Sequence, residues 1–114
     1  MSHDINALMK LVEAGEVDAA EPGLVAIVSE NPRQPAAQFY LGIIRLKQGR
    51  NEEAEAAYAA AARGLPGVAA VHMNLALAAH RAGSKAVSRS ALIRALVLTP
   101  ESIASYTLQS ECAV

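Results

Sequence analysis

The sequence aligns with itself three times at a spacing of 34 residues. Gly15, Gly49 and Gly83 share one register, Pro32, Pro66 and Pro100 another, and each glycine precedes its proline by 17. Between these markers Ala20, Ala54 and Ser88 align as small residues, Leu24, Tyr58 and Leu92 as large ones, and Ile27, Ala61 and Ala95 as apolar ones. A period of this length is one supersecondary unit whose apolar face cannot be buried alone, so each copy must stack on a neighbour.

Composition narrows what fills those contacts. The chain is 53% hydrophobic but has one phenylalanine, three tyrosines and no tryptophan, so alanine and branched aliphatics must form the core, which favours closely packed helices. Ten basic and eleven acidic residues leave a formal charge of -1. Read as intermixed, they offer no electrostatic footprint for nucleic acid or an anionic membrane, and neither is expected as a partner. Cys112 is the single cysteine, so no internal disulfide is possible, and it reads as a small filler near a helix end. Asp4, Asn6 and Lys10 interrupt the N-terminus where a signal peptide needs an apolar run, and no segment reaches membrane-spanning length. The expectation is a soluble, cytoplasmic protein.

Glycine and proline divide the chain into helix pairs. In the second repeat the pattern predicts helices over Ala36 to Gln48 and Glu52 to Arg63, with Gly49 in the left-handed conformation that ends the first and Asn51 as N-cap of the second. Glu52 and Glu53 then meet the positive end of the helix dipole. Pro66 cannot continue a helix, and the third repeat predicts helices near Val68 to Ala82 and Lys85 to Leu98. Pro22-Gly23 falls where the first repeat needs its second helix, and an interior proline costs about 3 kcal/mol. A late start, with Glu21 leading and Pro22 in the first turn, is the preferred reading over a helix capped by Asp18 that bends at Pro22.

Six residues of the second repeat stand in the register of a known family: Leu41-Gly42 as a Leu-Gly pair, Gly49 at the turn, Ala54 at the tight helix contact, Tyr58 at the bulky position, Ala61 one turn on and Pro66 at the exit. In these the chain resembles the tetratricopeptide repeat family. The third repeat keeps Leu75, Gly83, Ala95 and Pro100 with Ala76 for glycine and Ser88 for alanine, and the first keeps Gly15, Ala20 and Pro32. The resemblance implies an all-α fold: a right-handed superhelical array of three helix-turn-helix repeats, about 1–34, 35–68 and 69–102, in one domain spanning 1–114. A C-terminal capping helix over 101–112 would carry Tyr106 at the family's aromatic position and a polar stripe of Ser102, Ser105 and Gln109.

No catalytic constellation is present. The sequence lacks a glycine-rich phosphate loop, paired Cys or His at zinc spacing, and a serine in a Gly-x-Ser-x-Gly setting, so neither catalysis nor a cofactor is expected. His72 and His80 are about 12 Å apart along one helix at 1.5 Å per residue, too far to share a metal without other ligands. His72 takes the family's aromatic position and reads as a packed, half-buried ring.

The same resemblance places the functional surface on the concave face lined by the first helix of each repeat. Carried over residue by residue, the candidate groove is Ile5, Met9, Val12, Phe39, Ile43, Leu46, Lys47, Met73, Leu77, His80 and Arg81. It is mostly apolar. Family members that hold the acidic C-terminus of chaperones use lysine, arginine and asparagine where this chain has Ile5, Met9 and Phe39, and Asn74 alone does not reproduce that arrangement. A peptide or helical segment of a partner protein that buries its own apolar stripe is the expected ligand, with Lys47, His80 and Arg81 favouring acidic groups along one edge and Met9 and Met73 lending adaptability. The competing expectations are a groove closed by a second copy of the chain, as a homodimer, and the N-terminal interaction module of a larger enzyme such as a transferase. Bacterial secretion chaperones, also built on three such repeats, grip extended client segments in the same groove.

Overall fold

A computed structural model describes residues 5–98. Among them are six helices and no strands: α1 Ile5–Glu13, α2 Val17–Glu30, α3 Pro35–Lys47, α4 Asn51–Gly64, α5 Ala69–Ala82 and α6 Lys85–Leu98. They pair as α1 with α2, α3 with α4 and α5 with α6, and each pair packs on the next. The expected closing helix over 101–112 and Cys112 lie outside the described residues.

Each pair is joined by the same turn, and its chemistry explains the glycine spacing. Gly15, Gly49 and Gly83 have φ of 86°, 77° and 86°, a region closed to most side chains. In each turn the glycine amide donates three residues back, to Val12, Leu46 or His80, at 3.0, 3.1 and 3.2 Å. The following amide donates five back, from Glu16 to Leu11, Arg50 to Arg45 and Ser84 to Ala79, at 2.8 Å in all three. This is the Schellman termination, which satisfies carbonyls the helix end leaves orphaned.

Two helix starts differ from expectation. Asn51 is the first helical residue of α4 and no side chain caps that end; Arg50 holds the N-cap position. The turn leaves no room for a separate cap, because Arg50 closes the termination of α3 and its carbonyl already accepts from Ala54 at 2.9 Å. In α2 the late start is overturned: the helix begins at Val17 and runs through Pro22. Burial compensates for the lost hydrogen bond, since Ala20, Gly23 and Leu24 on either side of the proline are all buried.

The core falls into two clusters at the junctions between pairs. Leu8, Val12, Leu24, Leu41 and Ile44 dominate the first; Tyr58, Leu75, Ala76 and Ala78 dominate the second. Ala20 and Ala54, aligned as small residues, are fully buried, and Ser88 at the same place turns its hydroxyl to donate to the Ala76 carbonyl at 3.1 Å. Gly42 faces the Tyr58 ring so closely that a Cβ there would lie 2.7 Å from it.

Two polar latches recur at the repeat spacing and tie each pair to the one before. Gln38 donates its side-chain amide to the Pro32 carbonyl at 3.0 Å, and 34 residues on the His72 Nε2 meets the Pro66 carbonyl at 2.9 Å. A carbonyl only accepts, so this His72 nitrogen carries the proton. His72 is more buried than a half-buried ring, at 7% exposed, and the bond accounts for a polar group there. The second latch joins Glu21 to Gln48 and Arg50 at 3.2 and 3.3 Å, and Glu55 to the Ser84 hydroxyl at 2.8 Å.

Candidate functional site

The turns set the first helices of the three pairs in one order along the array, and the candidate residues follow at one-turn spacing: Ile5 and Met9 on α1, Phe39, Ile43 and Leu46 on α3, Met73 and Leu77 on α5. Ile5, Met9, Phe39, Ile43, Leu46 and Met73 are half-buried, while Leu77 is 41% exposed. Lys47, His80 and Arg81 are exposed and make no ion pair among the described residues. Val12 does not belong with them. It is 3% exposed, one turn beyond Leu8 on the same stripe, and both are covered in the cluster that holds Leu24 and Leu41.

Phe39 links this surface to the core. Its ring meets Tyr40 edge-on with centroids 5.5 Å apart and Tyr58 at 5.8 Å, so it is both a surface group and a wall of the second cluster. Ile43 packs against both clusters. Burial pushes the Tyr58 hydroxyl up to about 12, and burial followed by the charge of Glu13 raises that of Tyr40. Both hydroxyls stay protonated at neutral pH and add no negative charge beside Lys47 and Arg81.

Sequence reasoning missed the ion-pair chain beside Lys47. Arg50 bridges Glu21 of α2 and Glu53 of α4, and Glu53 also lies 3.8 Å from the Nε of Arg45, which is itself buried. The 34-residue spacing carries no signal for it, because the residues one period beyond Arg50 and Glu53 are Ser84 and Val87. Among the described residues, cavities lie off the apolar stripe. One of about 360 Å³ is lined by Pro32, Arg33, Ala60, Arg63 and Gly64, one of about 340 Å³ sits at the α3–α4 turn beside Arg81, and one of about 380 Å³ lies among α4, α5 and α6. Among the described residues no group of His, Cys, Asp and Glu could hold a metal ion, and no helix is long and apolar enough to cross a membrane.

Stacked helix pairs with a surface of half-buried apolar groups and free cations define a helical-repeat scaffold for protein interaction. The chain belongs to the tetratricopeptide repeat family, whose model matches residues 9–69 and again 44–103. Among solved structures it is similar to MamA MSR-1 C2, with 26% identity and a TM-score of 0.71 over 83% of this chain. The match spans 55% of that chain, so the present sequence corresponds to about half of its length. No curated protein matches in sequence.

Proposed function

We propose that the protein is a cytoplasmic adaptor that binds an apolar-faced peptide or helical segment of a partner along the first helices of its repeats. The observation that carries this reading is the set of half-buried apolar residues at one-turn spacing on α1, α3 and α5, with Leu77 exposed where a surface would favour a polar residue. The ligand lays large side chains against Met9, Phe39, Ile43 and Met73, and its acidic groups meet Lys47, His80 and Arg81. Methionines at two of the positions let the surface fit more than one sequence.

Paired baits test the proposal: the intact chain and Leu77→Glu, with Phe39→Glu as a second variant, each verified as folded by circular dichroism. Leu77→Glu should lose the retained partner without loss of helicity, because the side chain is exposed. Phe39→Glu should lose the partner and also some stability, because the ring braces Tyr58. Retention of the same proteins by all three baits would sink the reading. A sedimentation profile that shifts from dimer to monomer in Leu77→Glu would give the groove to a second copy instead.

A further inference from the structure

The formal charge of -1 conceals a segregation along the chain. No aspartate or glutamate occurs between Glu55 and Glu101, and that stretch holds Arg63, Arg81, Lys85, Arg89 and Arg94. None of these five cations makes an ion pair among the described residues, whereas Arg45 and Arg50 of the second repeat are both paired. The reading of the charges as intermixed fails for this reason: a whole-chain balance cannot register two opposite halves.

The basic third repeat also carries the cavity of about 380 Å³, whose wall includes Ala62 of α4, His72 and Leu75 of α5, and Val87, Ser90 and Arg94 of α6. It lies off the concave face, since at about 100° per residue Leu75 points roughly 200° away from Met73 on the same helix. The internal repeat explains why the cavity is here. At the place of Ala62 the preceding repeat has Val28, which packs against the first core cluster; at the place of Val87 it has Glu53, held by Arg45 and Arg50; at the place of Arg94 it has Ala60. Two methyl groups fewer open the floor, an exposed valine replaces a carboxylate at the rim, and an unpaired guanidinium replaces a methyl.

We infer that this cleft is a second docking site, for an acidic peptide segment of a partner protein that inserts one large apolar side chain. The apolar floor of Ala62 and Leu75 takes the side chain, with Val87 at the rim, and Arg94 faces a flanking carboxylate. The charge complementarity is specific to the third repeat, because the equivalent cleft before it presents Glu52 and Glu53.

The test uses the full chain labelled with ¹⁵N and titrated with the peptide Glu-Glu-Leu-Phe-Glu-Glu, against Lys-Lys-Leu-Phe-Lys-Lys as control. Amide shifts should concentrate at Ala62, Val87, Ser90 and Arg94 with the acidic peptide alone. Three variants each restore what the preceding repeat has: Val87→Glu should weaken binding about tenfold, and Arg94→Ala and Ala62→Val each by a smaller factor. Val87 and Arg94 are exposed, so those variants keep the fold. Shifts at Met9, Phe39 and Leu77 instead would move the peptide to the concave face and overturn the second site while leaving the adaptor proposal standing. Equal binding of the basic peptide, absence of binding, or binding only after removal of residues 99–114 would also overturn it, the last by showing that the chain's own C-terminal segment fills the cleft.

Discussion

The first and second helix pairs solve one packing problem with opposite assignments of bulk. In α3 and α4 the first helix supplies the notch, Gly42, and the second supplies the knob, Tyr58, whose ring would stand 2.7 Å from a Cβ on the glycine. In α1 and α2 the repeat register puts Leu8 where Gly42 would be, and the notch has moved to the second helix, where Gly23 sits against the Leu8 methyls, also 2.7 Å from a Cβ. Close approach of two helices needs one small and one large partner, and the register does not dictate which helix provides either. The two pairs nevertheless differ in tolerance. Tyr58 is a rigid ring, 1% exposed, pinned by Phe39, whereas Leu8 meets its glycine with the ends of a flexible side chain.

The largest effect should come from removing the better knob. Tyr58→Ala should lower stability by about 3–5 kcal/mol in a urea titration, since the notch at Gly42 would be left as a cavity. A loss below about 1 kcal/mol would mean the second pair is not organised around this ring. Next is Pro22, which stands in α2 where α4 has Ala56. Pro22→Ala should stabilise the first pair by up to about 3 kcal/mol, because it restores an amide hydrogen to the helix interior. No gain would show that the helix already accommodates the missing bond at this exposed position.

The sharpest comparison is between the two notches. Gly42→Ala gains about 1 kcal/mol of helix propensity and should still be destabilising overall, by about 1–3 kcal/mol, because the ring cannot withdraw. Gly23→Ala collects the same propensity against a side chain that can rotate away, so its net effect should be near zero. Equal changes in the two midpoints would refute the distinction between rigid and yielding knobs. The smallest effect is in pH. The folded-state pKa of Tyr58 is raised from 10.0 to about 12, so stability is unaffected below pH 10 and falls as pH rises from there, where the unfolded chain releases the proton first. Following tyrosinate absorbance should show Tyr58 ionising last among the tyrosines; ionisation near pH 10 would contradict its burial.

The helical placement and exposure of much of the candidate surface were legible residue by residue. Phe39, Ile43, Leu46, Met73 and Leu77 stand at helical spacing on the first helices, half-buried or exposed, and Lys47, His80 and Arg81 are exposed. Val12 was misplaced because helical spacing gives an angle about the axis but not how far α2 and α3 close over it. The substitutions that line the cavity beside Arg94 were readable by subtracting 34 from each residue number, and the cation-only stretch after Glu55 by reading charge along the chain, which a whole-chain count obscures.

By itself the sequence determined the period, the three left-handed glycine turns, the helix pairs and the need for small residues at Ala20 and Ala54. These depend on local backbone conformation and on spacing along one helix, both of which a linear sequence records directly. Only the tertiary structure decided that α2 runs through Pro22, that Leu8 and Gly23 exchange the roles of Tyr58 and Gly42, and that Gln38 and His72 each find a proline carbonyl in the preceding turn. Those outcomes depend on the distance and rotation between helices, which are set by the whole set of contacts acting together and by no single position in the chain.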